Sequence, residues 1–184
     1  INDIDNLKSE GIWNNDWDVS LELIKRKTKN SIIDKKIPTR EDIRIVFDKY
    51  YFGSDLNPVN GSFNGFINNE NLLIDKNFFY KLSSLNIAWG FVSGTEHSSA
   101  NFVLEKKLGL KKPPLIAMGD APEKPDPTGL LSLIKKILNT DLHNIKIPIG
   151  YVGDTVADVL TVINARGLQP NLNITSFAIS TPNL

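Results

Sequence analysis

With 184 residues, 41% of them hydrophobic, the chain can bury one core and a small second lobe. Twenty-one Lys and Arg balance twenty-one Asp and Glu, which removes the broad positive field that non-specific nucleic-acid or membrane-surface binding draws on. The absence of cysteine excludes disulfides, thiolate metal sites and a cysteine nucleophile, and suits a soluble protein of a reducing, cytoplasmic compartment.

Zinc is disfavoured too, because His97 and His143 are the chain's two imidazoles and stand far apart in sequence. No apolar run approaches the ~20 residues that span a bilayer, and the opening INDIDNLKSEG is too polar for a signal peptide. The first predicted elements are helical and polar. NDWDVSLELIKRK sets Trp17, Leu21 and Ile24 at helical spacing, and PTREDIRIVFDKYYFG starts with Thr39 as N-cap, carries Asp42 three residues on and stops at Gly53. TKNSIIDKKIP is a turn-rich connection between these helices, and GSDLNPVNGSFNG is a link rich in Gly, Asn, Ser and Pro. A boundary after residue 75 separates this helical lobe, 1–75, from the rest.

From residue 76 the texture changes. KNFFYKLSSLN reads as a helix, IAWGFVS as a buried strand, EHSSANFVLEKKLG as a helix closed by Gly109, and PLIAM as a strand. DPTGLLSLIKKIL is then a helix, IPIGYVG a strand, TVADVLTVINARG a helix closed by Gly167, and ITSFAIS a last strand. Strand and helix in alternation predict an α/β core, a Rossmann-like parallel sheet with helices on both faces. In such sheets ligands sit at the carboxyl ends of the strands.

Three of those ends carry polar chemistry. After IAWGFV come Ser93, Gly94 and Thr95, a hydroxyl and backbone N–H groups of the kind that cradle phosphate. In GDAPEKPDP, Lys124 stands between prolines on a stiff loop. In YVGDTVADV, Asp154 lies at the strand tip with Asp158 one helical turn on, and a carboxylate there can offer hard oxygen to Mg2+. Each feature alone has a plainer meaning: a turn with a helix cap, a solvated loop charge, an N-cap acid with Asp158 on a solvated helix face. In their order, behind the right strands, they are far more specific.

Taken together, GFVSG, EKPDP and VGDTVAD resemble the later signatures of the haloacid dehalogenase superfamily of phosphohydrolases and phosphotransferases, over residues 76–180. The amino-terminal lobe resembles the helical cap of many members, and GIWNNDWDVS is similar to a phosphatase-like subgroup. The resemblance implies a Mg2+-dependent phosphomonoesterase acting on a small phosphorylated metabolite through an aspartyl-phosphate. Ser93, aided by the Gly94 N–H, would hold the phosphoryl oxygens, and Lys124 would neutralise phosphate and nucleophile. Asp154 would bind Mg2+, with Asp158 supporting the ion or its water. Thr95 completes the substrate-binding turn. Glu96, His97 and Ser98 follow at a helix opening, where contact with the leaving group competes with a plain surface role.

The family's first signature, an Asp-x-Asp before Gly at the end of an apolar strand, has no counterpart here. Asp3 and Asp5 have the spacing, but two residues precede them, Asn6-Leu7-Lys8 follow where a tight turn is required, and Ile4 and Leu7 suit a helix. The expectation is a chain that lacks a preceding strand with the nucleophile, so that it hydrolyses phosphate esters poorly and lacks the central strand of its sheet. A non-catalytic relative that binds a phosphorylated ligand is the alternative, and a flavodoxin-like or receiver-like domain is a third. For the cap, Trp13, Asn14, Asn15, Asp16 and Trp17 are the candidates to face substrate, with Asn15 and Trp17 foremost. The competing assignment makes Trp17 an inward-packed helix residue capped by Asn15 or Asp16.

Overall fold

The computed structural model describes residues 2–13, 15–29, 37–53 and 63–179, and these form two compact units, Ile1–Asn71 and Leu72–Leu184. Asn14 and most of both predicted connections lie outside the described residues. No helix among the described residues is long and apolar enough to cross a membrane.

The first unit is helical. α1 (Asn2–Ser9), α2 (Asp16–Thr28) and α3 (Arg40–Tyr51) pack in sequence around Leu7, Trp17 and Val19. The α3 start follows the sequence: Thr39 Oγ1 accepts the Asp42 N–H at 3.2 Å, and the Asp42 carboxylate accepts the Thr39 N–H at 2.8 Å. This reciprocal cap satisfies two donors that an open helix end leaves unmade. Asp3 and Asp5 lie in α1, with Asp3 ion-paired to Lys27 at 2.6 Å, so the segment is a helix as its apolar spacing requires.

The second unit contains α4 (Lys76–Ser84), β1 (Phe91–Val92), α5 (His97–Asn101), β2 (Leu115–Ile116), α6 (Thr128–Leu138), β3 (Ile149–Gly153), α7 (Val156–Leu168) and β4 (Ile174–Ala178). From Phe102 to Lys107, α5 continues as wider turns, with the Leu108 N–H reaching the Val103 carbonyl, and it stops where Gly109 takes φ +75°. At Gly167 the expectation needs correction. α7 runs through it to Leu168, because a glycine inside a helix costs only about 1 kcal/mol and nothing crowds that position.

The sheet also differs from the single one expected. β1 pairs in parallel with β2, β3 pairs in parallel with β4, and these are two separate two-stranded sheets. The alternation of elements dictates strand direction, but not which strands become neighbours. In the ladders, Phe91 and Ser93 donate to Pro114 and Ile116, and Ile149 donates to Asn173. Alternate residues of a parallel strand bond to the same side, so the peptide groups of Val92 and Val152 point to the outer edges. Among the described residues neither edge has a strand partner.

Adjacent residues of β1 serve opposite layers. Phe91 packs against a core of Phe79, Leu104 and Leu115, while Val92 packs against a second core built by α6, α7, β3 and β4 around Ile134, Tyr151, Val162 and Ile174. Helices thus cover both faces of the β1–β2 pair. On β3–β4 the residues facing away from that core, Val152 and Phe177, are 59% and 53% exposed.

Candidate functional site

The carboxyl ends of β1 and β2 open into a small pocket lined by Ser93, Gly94, Met118, Glu123 and Lys124, with Val92 and Gly129 among its remaining walls. Ser93 emerges as the ladder ends: its N–H still bonds Ile116, while its Oγ accepts the Thr95 N–H at 3.2 Å. The plain turn assignment for Ser93 therefore holds alongside the pocket position. The Thr95 carbonyl accepts the Met118 N–H at 2.9 Å, and its hydroxyl meets Ser99, so Thr95 fastens the two walls together.

Lys124 is the cation of the pocket wall. Its Nζ donates to Asp158 Oδ1 at 2.6 Å, and the two side chains are 15% and 5% exposed. Here the structure corrects the assignment of Asp158 to metal. Oδ1 also accepts the Tyr151 hydroxyl at 2.9 Å, and Oδ2 accepts the Thr155 N–H at 3.1 Å and its hydroxyl at 2.7 Å. Four donors occupy the four lone-pair sites of the carboxylate, leaving none for an ion. Burial alone would raise the Asp158 pKa, but the hydrogen bonds and charge of Lys124, with Thr155 and Tyr151, hold it below the usual carboxylate range. The Tyr151 phenol is pushed upward by burial and by the same carboxylate, so it remains a donor. Asp158 is neither an ion ligand nor a solvated helix-face residue; it anchors Lys124.

The chain makes room for this anchor at Gly153. A Cβ there would lie 2.4 Å from the Asp158 side-chain carbon, closer than atoms can approach. The Lys124 loop is tied to α7 a second time, by Asn164 Nδ2 donating to the Pro125 carbonyl at 2.9 Å. Both ties brace the wall that carries the ammonium.

Asp154 sits exposed just past the tip of β3, and among the described residues its carboxylate has no hydrogen-bond or ion-pair partner. It keeps the free hard oxygens that Mg2+ takes from protein, usually one or two carboxylates beside water and substrate phosphate. Among the described residues no three ligating side chains cluster. The pocket thus gathers Ser93, Gly94 and Lys124, with Asp158 behind them; Asp154 is not part of its lining.

Asn15 and Trp17 belong to the first unit and serve its structure. Asn15 Oδ1 accepts the Trp17 N–H at 2.9 Å as the N-cap of α2, and buried Trp17 meets Phe47 edge-on with Arg40 5.0 Å above its ring. This corrects their assignment to substrate contact: the amide is engaged by a helix start that would otherwise lack a partner.

Sequence reasoning missed Tyr151, Thr155, Asn164 and Asp120. Thr155-x-x-Asp158 is a legible capping pattern, and Tyr151 falls on the inward phase of β3 with Ile149, but nothing local announces that its hydroxyl reaches Asp158. Comparison with known proteins adds no relative: no family model, curated protein or solved structure matches the chain.

Proposed function

We propose that the second unit is the phosphate-holding core of a Mg2+-dependent phosphomonoester hydrolase of the haloacid dehalogenase type, acting on a small phosphorylated metabolite. The observation that carries this reading is the meeting of Ser93, Gly94 and a half-buried, anchored Lys124 in one pocket at the carboxyl ends of two parallel strands. A phosphate dianion there finds a hydroxyl, a backbone N–H and an ammonium. Asp158, Tyr151 and Thr155 keep the ammonium in place before the ligand arrives, so little ordering remains to be done on binding. Asp154 would hold Mg2+, which supplies further neutralisation of phosphate charge when bound.

Hydrolysis by this route needs an attacking carboxylate. The carboxylates that line the pocket, Glu123 and Asp126, flank Lys124 on its own loop, and Asp126 caps α6 by accepting the Thr128 N–H. Among the described residues the β1 and β3 edges have no strand partner, which leaves room for a nucleophile carried on a further strand. On its own the chain then holds phosphate without turning it over, which is also the behaviour of the non-catalytic alternative.

Calorimetric titration with inorganic phosphate tests the reading. Wild-type chain should bind and K124M should bind at least ~10-fold more weakly, the smaller end of what a charged hydrogen bond contributes. Absent binding by the wild type, or equal binding by K124M, contradicts it.

A further inference from the structure

Next in sequence to segments that line the pocket, His97 Nε2 lies 2.9 Å from each carboxylate oxygen of Asp120. Asp120 is itself fixed, its Oδ2 accepting the Ala117 N–H at 2.9 Å, and its neighbours Met118 and Ala121 line the pocket. His97 follows Gly94 of the opposite wall by three residues, so the pair links the two chain segments that carry the pocket walls. The Ala117 N–H, then His97, holds the Asp120 pKa below the usual carboxylate range. Near neutrality it is therefore a carboxylate, which can only accept.

That fixes the ring. Nε2 must carry the hydrogen, and in the neutral imidazole Nδ1 is then a bare acceptor. The His97 side chain is half exposed, and among the described residues Nδ1 has no partner. An acceptor of locked tautomer beside a phosphate pocket is suited to a hydroxyl on the carbon skeleton that bears the phosphate.

We propose that His97, oriented by Asp120, is a specificity-determining residue that accepts a hydrogen bond from a hydroxyl of the ligand, so that the preferred substrates are polyol or sugar phosphates rather than plain alkyl phosphates. The proposal rests on the phosphate reading of the pocket. A site built to receive a hydroxyl discriminates against the analogue that lacks one.

Titrations of the wild-type chain with glycerol 3-phosphate, propyl phosphate and inorganic phosphate, at about pH 8 where an ordinary imidazole is neutral, separate the two claims. Wild type should prefer glycerol 3-phosphate over propyl phosphate by about five-fold, the worth of one net hydrogen bond. H97A should bring the glycerol 3-phosphate and propyl phosphate affinities together, whatever the loss of its tie to Asp120 does to both, and H97N, which keeps a polar group near the Nδ1 position, should restore part of the preference. Equal affinities in the wild type, or a preference that survives in both variants, overturns the role of His97 while leaving the pocket reading intact. Failure of all three ligands to bind overturns the pocket reading and this inference with it.

Discussion

At Asp158 one side chain decides how the pocket works. A carboxylate this deeply buried is tolerable because each of its oxygens receives two donors and one of those donors is charged. Truncating it leaves the Lys124 ammonium without its ion-pair partner. D158A should lower the unfolding free energy by roughly 3–5 kcal/mol, the range for breaking a buried ion pair, measured by urea unfolding of the second unit through Trp89 fluorescence. The pH dependence has a definite sign. Because the folded pKa of Asp158 is depressed, its contribution is present above the ordinary carboxylate value of about 3.9 and is lost as the pH falls through the lower folded value. D158N should therefore be less stable at neutral pH and show a shallower loss of stability below about pH 4. An acid limb identical to the wild type's would place the charge elsewhere.

The β3–α7 junction shows why the element scale matters to the site. β3 ends at Gly153, Thr155 caps α7, and Asp158 in the first turn folds back over the glycine. G153A should cost about 1–3 kcal/mol, as over-packing does, and should weaken phosphate binding as well, because the carboxylate that must shift also holds Lys124. Calorimetry on the folded variant reads this; destabilisation with unaltered phosphate affinity would uncouple the junction from the pocket.

Most of the helices were legible in the sequence for physical reasons. Thr39 and Asp42 sit at capping-box spacing, Gly109 marks a stop in α5 that only a positive φ allows, and α6 has a continuous apolar stripe. The strands were legible as apolar runs but not in extent. Of the run 87–93 only Phe91 and Val92 form the strand, with Ser93 adding the last ladder bond, while the Ile87 N–H turns back to the Leu82 carbonyl of α4. Pairing was not legible, since neighbours are set by packing over long separations. In the candidate site, Ser93 and Lys124 line one pocket, a meeting that their order behind successive strands makes legible. The purpose of Asp158 was misread because a second acid four residues on suits an ion and an ammonium equally well, and only its depth distinguishes them.

At the scale of the whole molecule, the two parallel strand pairs share one core through α6 and α7, and the polar residues collect where β1 and β2 end. The second unit carries an exposed apolar face on β3–β4, and among the described residues β1 and β3 have open edges. The pocket does not depend on those edges. Its walls are tied by Thr95 to Met118, His97 to Asp120 and Lys124 to Asp158.

The most direct measurement is a residue-resolved one: a 15N-edited NMR titration of the chain with inorganic phosphate. The account predicts saturable amide shifts concentrated at 93–95 and 117–124, with those of 151–158 following through the Lys124 anchor. Shifts scattered over both units, or a set confined to other surfaces, would contradict it.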